Sequence, residues 1–237
     1  MNKEQIIFLP GGDRQFAHLK SAIKLNKLDI LIIGANTDRI SQLFLTEGIA
    51  SVSVIVDDHD SLVQLRYLLN QSKNISLKMM EFNKTDFGDS TFDLVFAQAS
   101  ISNKLRNKII KEIKRILKPK SYLNVGEIIS LKKSVPPFME NIWESGNVNP
   151  LYFEEINGYY TQRGFEILSV KDISNYLREY YTISKKLLDL TSGRLSDKEK
   201  SFHKKLLKRI SHESNAYLKL GGDRYMGFTS IIARKTN

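Results

Sequence analysis

The stretch Leu28–Asp38, LDILIIGANTD, constrains the fold more than any other part of the chain. A short apolar run ends at Gly34, and a helical pattern begins just after it. Such a run suits a strand buried on both faces, as in a parallel sheet covered by helices. A tight strand-to-helix turn then lies at the carboxyl edge of the sheet, where α/β folds hold nucleotide-like ligands. A second apolar strand, SVSVIVDD, ends on Asp57 and Asp58. An acid at that place can accept hydrogen bonds from the paired hydroxyls of a ribose. The plainer alternative is a solvated strand end, since chain connections are commonly polar.

The rest of the chain continues the alternation. Apolar runs predict strands over 29–34, 52–57, 75–82, 92–99, 121–129, 165–170 and 226–234. Helical spacing predicts helices over 13–27, 37–47, 61–70, 103–117 and 153–163. Pro10-Gly11-Gly12 makes a turn before the first helix, Gly48 ends the second, and Pro119 stops the helix over 103–117. Val135-Pro136-Pro137 breaks the pattern. The region 174–220 reads as helical throughout, with capping-box spacing at Ser196–Glu199 and with Phe202, Leu206, Ile210 and Tyr217 near one face. Strands alternating with helices argue for an α/β fold with a parallel sheet covered on both faces.

Composition removes several classes of function. The 237 residues are enough to bury a sizeable core. No apolar run approaches the ~20 residues that span a bilayer, and the N-terminal apolar segment is too short for a signal peptide. The chain has no cysteine, which excludes disulfides, thiolate zinc, Fe–S clusters and thiol catalysis and fits a cytoplasmic protein. The net charge of +10 is spread along the chain. It favours anionic partners in general, although a Lys-rich solubilising surface explains it as simply.

Several segments together resemble a known family: ILIIGANTD (30–38), VIVDD (54–58), MEF (80–82), GDSTFDLVFA (88–97), IKRILKPKSYLNVGE (113–127), RGFEILSV (163–170) and FTSIIARK (228–235). The N-terminal LPGGD (9–13) adds a weaker cue. Their order is similar to that of the class I S-adenosylmethionine-dependent methyltransferases, in particular the small-molecule "type 11" group. The resemblance implies a seven-stranded, mostly parallel Rossmann-like sheet forming one domain over 1–237, with a helical insertion over 172–225 before the last strand. It implies S-adenosylmethionine as cofactor. Gly34 and the backbone of Ala35 would pack against its methionine part, with Gly34 sparing the space a side chain would fill. Asp57 would take the ribose hydroxyls, with Asp58 as a neighbouring alternative. Glu81 would meet the adenine amino group and the Phe82 N–H would lie beside it. Gln98 and Ala99 would floor the sulfonium. The glycine motif is degenerate: Ile32, Asn36 and Asp38 stand where the family has an acid and two further glycines, and Pro119-Lys120-Ser121 replaces Pro-Gly-Gly. Asn tolerates a left-handed backbone, which keeps Asn36 compatible. Asp38 would either repel the cofactor's carboxylate or pair with its ammonium.

No residue stands out as a catalytic base, and methyl transfer rests mainly on orientation. His18 and His59 read as ordinary surface or edge histidines, and His203 and His212 lack metal-ligand spacing. Tyr159-Tyr160 and Tyr180-Tyr181 either wall an acceptor pocket or pack half-buried. The insertion is read as a lid over the acceptor site, or as an interface for a homo-oligomer or an added layer. The basic helix carrying Lys104, Arg106, Lys108, Lys111, Lys114, Arg115 and Lys118 reads as a solvated face. The leading expectation is methyl transfer to a small-molecule acceptor, an anionic one being favoured by the net charge. A non-catalytic binding or scaffold protein of the same fold comes second. An RNA methyltransferase comes third, because no RNA-binding module or aromatic-basic signature accompanies the charge. GANTD lacks the spacing of a nicotinamide site.

Overall fold

The computed structural model describes residues 7–70, 74–192 and 197–236, and of 191–192 and 197–206 the backbone alone. The capping pattern beginning at Ser196 and the side chains of Phe202, His203 and Leu206 lie outside the described residues. The elements are α1 (Arg14–Ala22), β1 (Asp29–Ile33), α2 (Asp38–Leu45), β2 (Ser51–Val56), α3 (His59–Leu68), β3 (Ile75–Met79), β4 (Phe92–Gln98), α4 (Arg106–Ile116), β5 (Leu117–Ser130), α5 (Pro137–Ser145), β6 (Leu151–Tyr152), α6 (Ile156–Thr161), β7 (Phe165–Asp172), α7 (Leu177–Ser192), α8 (Asp197–Lys219) and β8 (Met226–Lys235).

The strands join in the order β3-β2-β1-β4-β5-β8-β7, with the two-residue β6 on the end of β5. The first five are parallel, and β8 runs antiparallel between β5 and β7. The expected seven-stranded, mostly parallel sheet is therefore present, with β6 as a short addition. The chain winds outward from β1 to β3 and returns to β4 beside β1, which creates the switch point where α/β sheets open a crevice.

Alternating side chains along each strand feed two cores. Leu31, Ile33, Val95 and Ala97 pack against the Ile109, Ile110, Ile113 and Ile116 stripe of α4. Ile30, Ile32, Leu94 and Phe96 pack on the opposite face with Phe16 of α1 and Phe44 of α2. Each fully buried Ile or Phe contributes about 1.5–3 kcal/mol, which explains why β1 carries no polar residue past Asp29. A third apolar cluster lies beyond the strand ends. Met139 and Trp143 of α5, Leu177 and Tyr181 of α7 and Tyr217 of α8 pack there on Met226 and Phe228.

Several elements differ from the sequence expectation: α1 ends at Ala22 and not at residue 27, and β5 starts at Leu117, so that Pro119 lies inside a strand. Pro137 was expected to break structure, yet it starts α5, where its missing N–H costs nothing. The third strand ends at Met79 rather than at residue 82, because Glu81 turns back to pair with Lys84.

Candidate active site

The carboxyl ends of β1, β2 and β4 converge on the turn Gly34–Thr37. Gly34 has φ +126°, and its N–H donates to the Ile55 carbonyl at 2.9 Å. A Cβ on Gly34 would lie 2.7 Å from Ser100 Cβ. The protein itself thus requires a glycine here: Ser100, on the loop leaving β4, takes the space next to it. Asn36 adopts φ +56°, a left-handed conformation that Asn tolerates. The Thr37 hydroxyl donates back to the Gly34 carbonyl at 3.2 Å. Ala35 and Asn36 are half-buried, and their N–H groups make no hydrogen bond among the described residues.

Asp38 opens α2. Partial burial raises its carboxyl above the usual range, while its own N–H, Arg39 and the Arg39 N–H pull it down. Its carboxylate thus lies near the N–H groups at the start of α2, and Arg39 Nε is 3.9 Å away.

Asp57 and Asp58 follow β2 but do different things. Asp58 caps α3, accepting from the Ser61 N–H at 2.8 Å, which occupies one of its oxygens. Asp57 makes no side-chain hydrogen bond or ion pair among the described residues. Neighbouring protein displaces water from its carboxyl and raises its pKa, its own N–H pulls the other way, and repulsion from Asp58 adds to the rise. Glu81 is exposed, with Asn83 Nδ2 3.5 Å from it. Phe82 is buried in the core beside Ile55, and its N–H makes no hydrogen bond among the described residues.

Gln98 ends β4 fully buried. Its amide nitrogen donates to the carbonyls of Pro10 and Gly12, both at 2.8 Å. The N-terminal turn is thereby tied across the end of β4. Both neighbours are acceptors, which fixes the amide orientation and leaves Oε1 buried without a partner. The adjoining Ser100 Oγ is also buried and unpartnered. Gln15 of α1 braces the same edge, donating to the Ala97 carbonyl at 3.1 Å and to Asn124 Oδ1 at 3.0 Å. Gly126 of β5 permits this approach, because a Cβ there would overlap Gln15 Oε1.

Several side chains depart from the sequence reading. His18 is not a surface histidine: it is buried, 2.9 Å from Ser230 Oγ and 2.8 Å from Ser169 Oγ. Burial and the Lys171 charge lower its pKa. His59 is exposed, as expected. Arg106 is not part of the solvated face of α4. It is 4% exposed and 3.0 Å from Glu127 Oε1, itself 0% exposed. Glu127 also accepts from Ser102 Oγ at 2.5 Å and from the Tyr160 hydroxyl. Burial and Glu127 push the Tyr160 phenol well up, so it serves as a donor. Ser102 accepts from the Ile128 N–H at 3.0 Å, which anchors the loop between β4 and α4. The signal for this network is Glu127 within the short run Val125–Ile129, which is otherwise free of polar side chains.

A cavity of about 240 Å³ opens between the N-terminal turn and α7, lined by Gly12, Asp13, Arg14, Tyr176, Glu179 and Tyr180 among others. A larger hollow of about 550 Å³, lined in part by Lys20, Asn26 and Glu47, lies at the amino ends of β1 and β2, away from the converging strand ends.

Residues 31–125 match the model of a family described as a methyltransferase domain. A search of curated proteins finds no match to the chain. Solved structures match over nearly all of it. A putative sarcosine dimethylglycine methyltransferase from Galdieria sulphuraria is 16% identical with a TM-score of 0.73, over 94% of this chain and 84% of that one. The [4+2]-cyclase SpnF is 18% identical with a TM-score of 0.76, over 94% and 79%. Phosphoethanolamine N-methyltransferase 2 from Haemonchus contortus, solved with S-adenosyl-L-methionine, is 15% identical with a TM-score of 0.76, over 97% of this chain and 54% of that one. At such identities the likeness speaks to the fold. Together with the strand order, it gives the chain a Rossmann-like methyltransferase fold, within which residues 31–125 match the methyltransferase-domain model.

Proposed function

We propose that the protein transfers a methyl group from S-adenosylmethionine to a small-molecule acceptor. The observation that carries this reading is Asp57: a partly desolvated carboxylate at the end of β2 with no side-chain partner among the described residues, across a positive-φ turn in which the Ala35 and Asn36 N–H groups likewise lack partners among them. In this reading Asp57 accepts from both ribose hydroxyls. The N–H groups of Ala35 and Asn36 face the methionine part, and the Phe82 N–H and Glu81 meet the adenine edge. Asp58 supports the site by capping α3. Gln98 and Ala99 lie beside the sulfonium, with Gln98 holding the N-terminal turn over it. The cofactor would supply an electrophilic methyl group. The chain's own residues orient the acceptor, exclude water and hold the reacting groups in line, which accounts for much of the acceleration in such reactions. The helices α7 and α8 act as a lid over the acceptor, and the lack of cysteine accords with a cytoplasmic location.

One observation favours a second reading. The Asp38 carboxylate lies at the first turn of α2, where a helix N-terminus otherwise receives an anion, and this suits a fold retained without methyl transfer. Mass spectrometry of small molecules released from the purified, denatured protein separates the two. Co-purified S-adenosylmethionine or S-adenosylhomocysteine supports the donor site. Protein that releases neither, and gains neither after incubation and desalting, contradicts it.

A further inference from the structure

The cavity beside the N-terminal turn has a character opposite to the protein's net charge. It is lined by two carboxylates, Asp13 and Glu179, against one guanidinium, Arg14. Its aromatic walls are Tyr176 and Tyr180. The Tyr176 ring already holds a cation: Arg14 Cζ lies 4.6 Å from its centroid, and Arg14 Nε is 3.4 Å from Asp13 Oδ1. Carboxylates next to an aromatic face form the environment that attracts organic cations. The cavity is also close to the reading's chemistry. Gly12 lines it, and the Gly12 carbonyl accepts from Gln98 Nε2 at 2.8 Å.

From this we infer that the cavity between the N-terminal turn and α7 is the acceptor site, and that it takes an aliphatic amine, with Asp13 and Glu179 drawing the ammonium and Tyr176 and Tyr180 covering its apolar part. The inference rests on the methyl-transfer reading. Arg14 acts as an internal stand-in, occupying the aromatic face until the ligand displaces it. The bound ammonium gives one proton to a carboxylate or water. The freed lone pair then forms the C–N bond as the donor's C–S bond breaks with its electrons on sulfur. The donor leaves as a thioether, and the methylated ammonium sheds a further proton to water if the product leaves neutral.

Calorimetric titration with three probes of similar shape tests this: phenethylamine, phenethyl alcohol and 3-phenylpropanoate. Phenethylamine is expected to bind about tenfold or more tightly than the other two, a difference of about 1.4 kcal/mol. Glu179→Gln should weaken it several-fold, and Arg14→Ala should tighten it by clearing the Tyr176 face. Both side chains are exposed, and thermal unfolding of each variant confirms its fold. No phenethylamine binding, equal binding of the three probes, preference for the carboxylate, or weakening by Arg14→Ala overturns the inference. S-adenosylhomocysteine titrated into the same samples reports on the donor site separately. Amine binding without it sinks the methyl-transfer reading, and the reverse sinks only the amine site.

Discussion

Removing the Glu127 side chain should be among the most destabilising single changes in this protein. Glu127 and Arg106 are 0% and 4% exposed and 3.0 Å apart. Arg106 Nε lacks good hydrogen-bond geometry toward Glu127, so the contact is mainly Coulombic, while Arg106 Nη2 donates to the Asn149 carbonyl. Glu127→Ala leaves a guanidinium buried without its counter-charge, which costs about 3–5 kcal/mol. It also strips the acceptor from Ser102 and Tyr160. Against a typical domain stability of about 5–15 kcal/mol, that is a large fraction. Urea unfolding followed by circular dichroism measures the loss as a lower midpoint. The double replacement Glu127→Leu with Arg106→Leu removes the uncompensated charge and should recover part of the loss, the remainder being the Ser102 and Tyr160 hydroxyls still without their acceptor. A loss below about 1 kcal/mol for Glu127→Ala, the range of an exposed pair, would refute this reasoning.

Other consequences follow from single residues. Gly34→Ala places a Cβ 2.7 Å from Ser100 Cβ at φ +126°; backbone strain of that kind costs about 1–3 kcal/mol, and Ser100→Gly should return part of the loss in thermal unfolding. The pH dependence of stability has two windows. Burial lowers the pKa of His18 from 6.5 in the folded state, so the unfolded chain binds the proton more readily. Stability therefore falls as pH drops below about 6.5, and His18→Gln should flatten that slope. Arg115 and Thr85 hold the Glu112 carboxyl down from 4.5 to about 2. Its contribution is complete above the unfolded value and is lost as pH falls through that interval; Glu112→Gln should flatten the acid limb of a pH-resolved urea series.

The sheet was legible in the chain because a strand buried on both faces must be an apolar run. Ile30–Ile33 and Leu94–Ala97 announce themselves in this way. α5 was not, because Pro137 at a helix start and a breaking proline look alike until the surrounding backbone is known. Asn36 could be anticipated, since few residues accept its φ. The role of Gly34 could not: only the tertiary approach of Ser100 shows what fills the space beside it. His18, Gln15 and Gln98 were opaque for the same reason. Their partners lie more than eighty residues away, and nothing local to α1 marks its polar residues as buried. Arg106 was misplaced with the solvated lysines because its partner, Glu127, lies on another element.

Isothermal titration of S-adenosylhomocysteine into wild-type protein and Asp57→Ala tests the donor site most directly. The account predicts saturable one-to-one binding, weakened about tenfold or more in the variant, because hydrogen bonds to a charged group are worth about 1.5–3 kcal/mol. Folded wild-type protein that binds nothing, or a variant that binds as tightly as wild type, would contradict it.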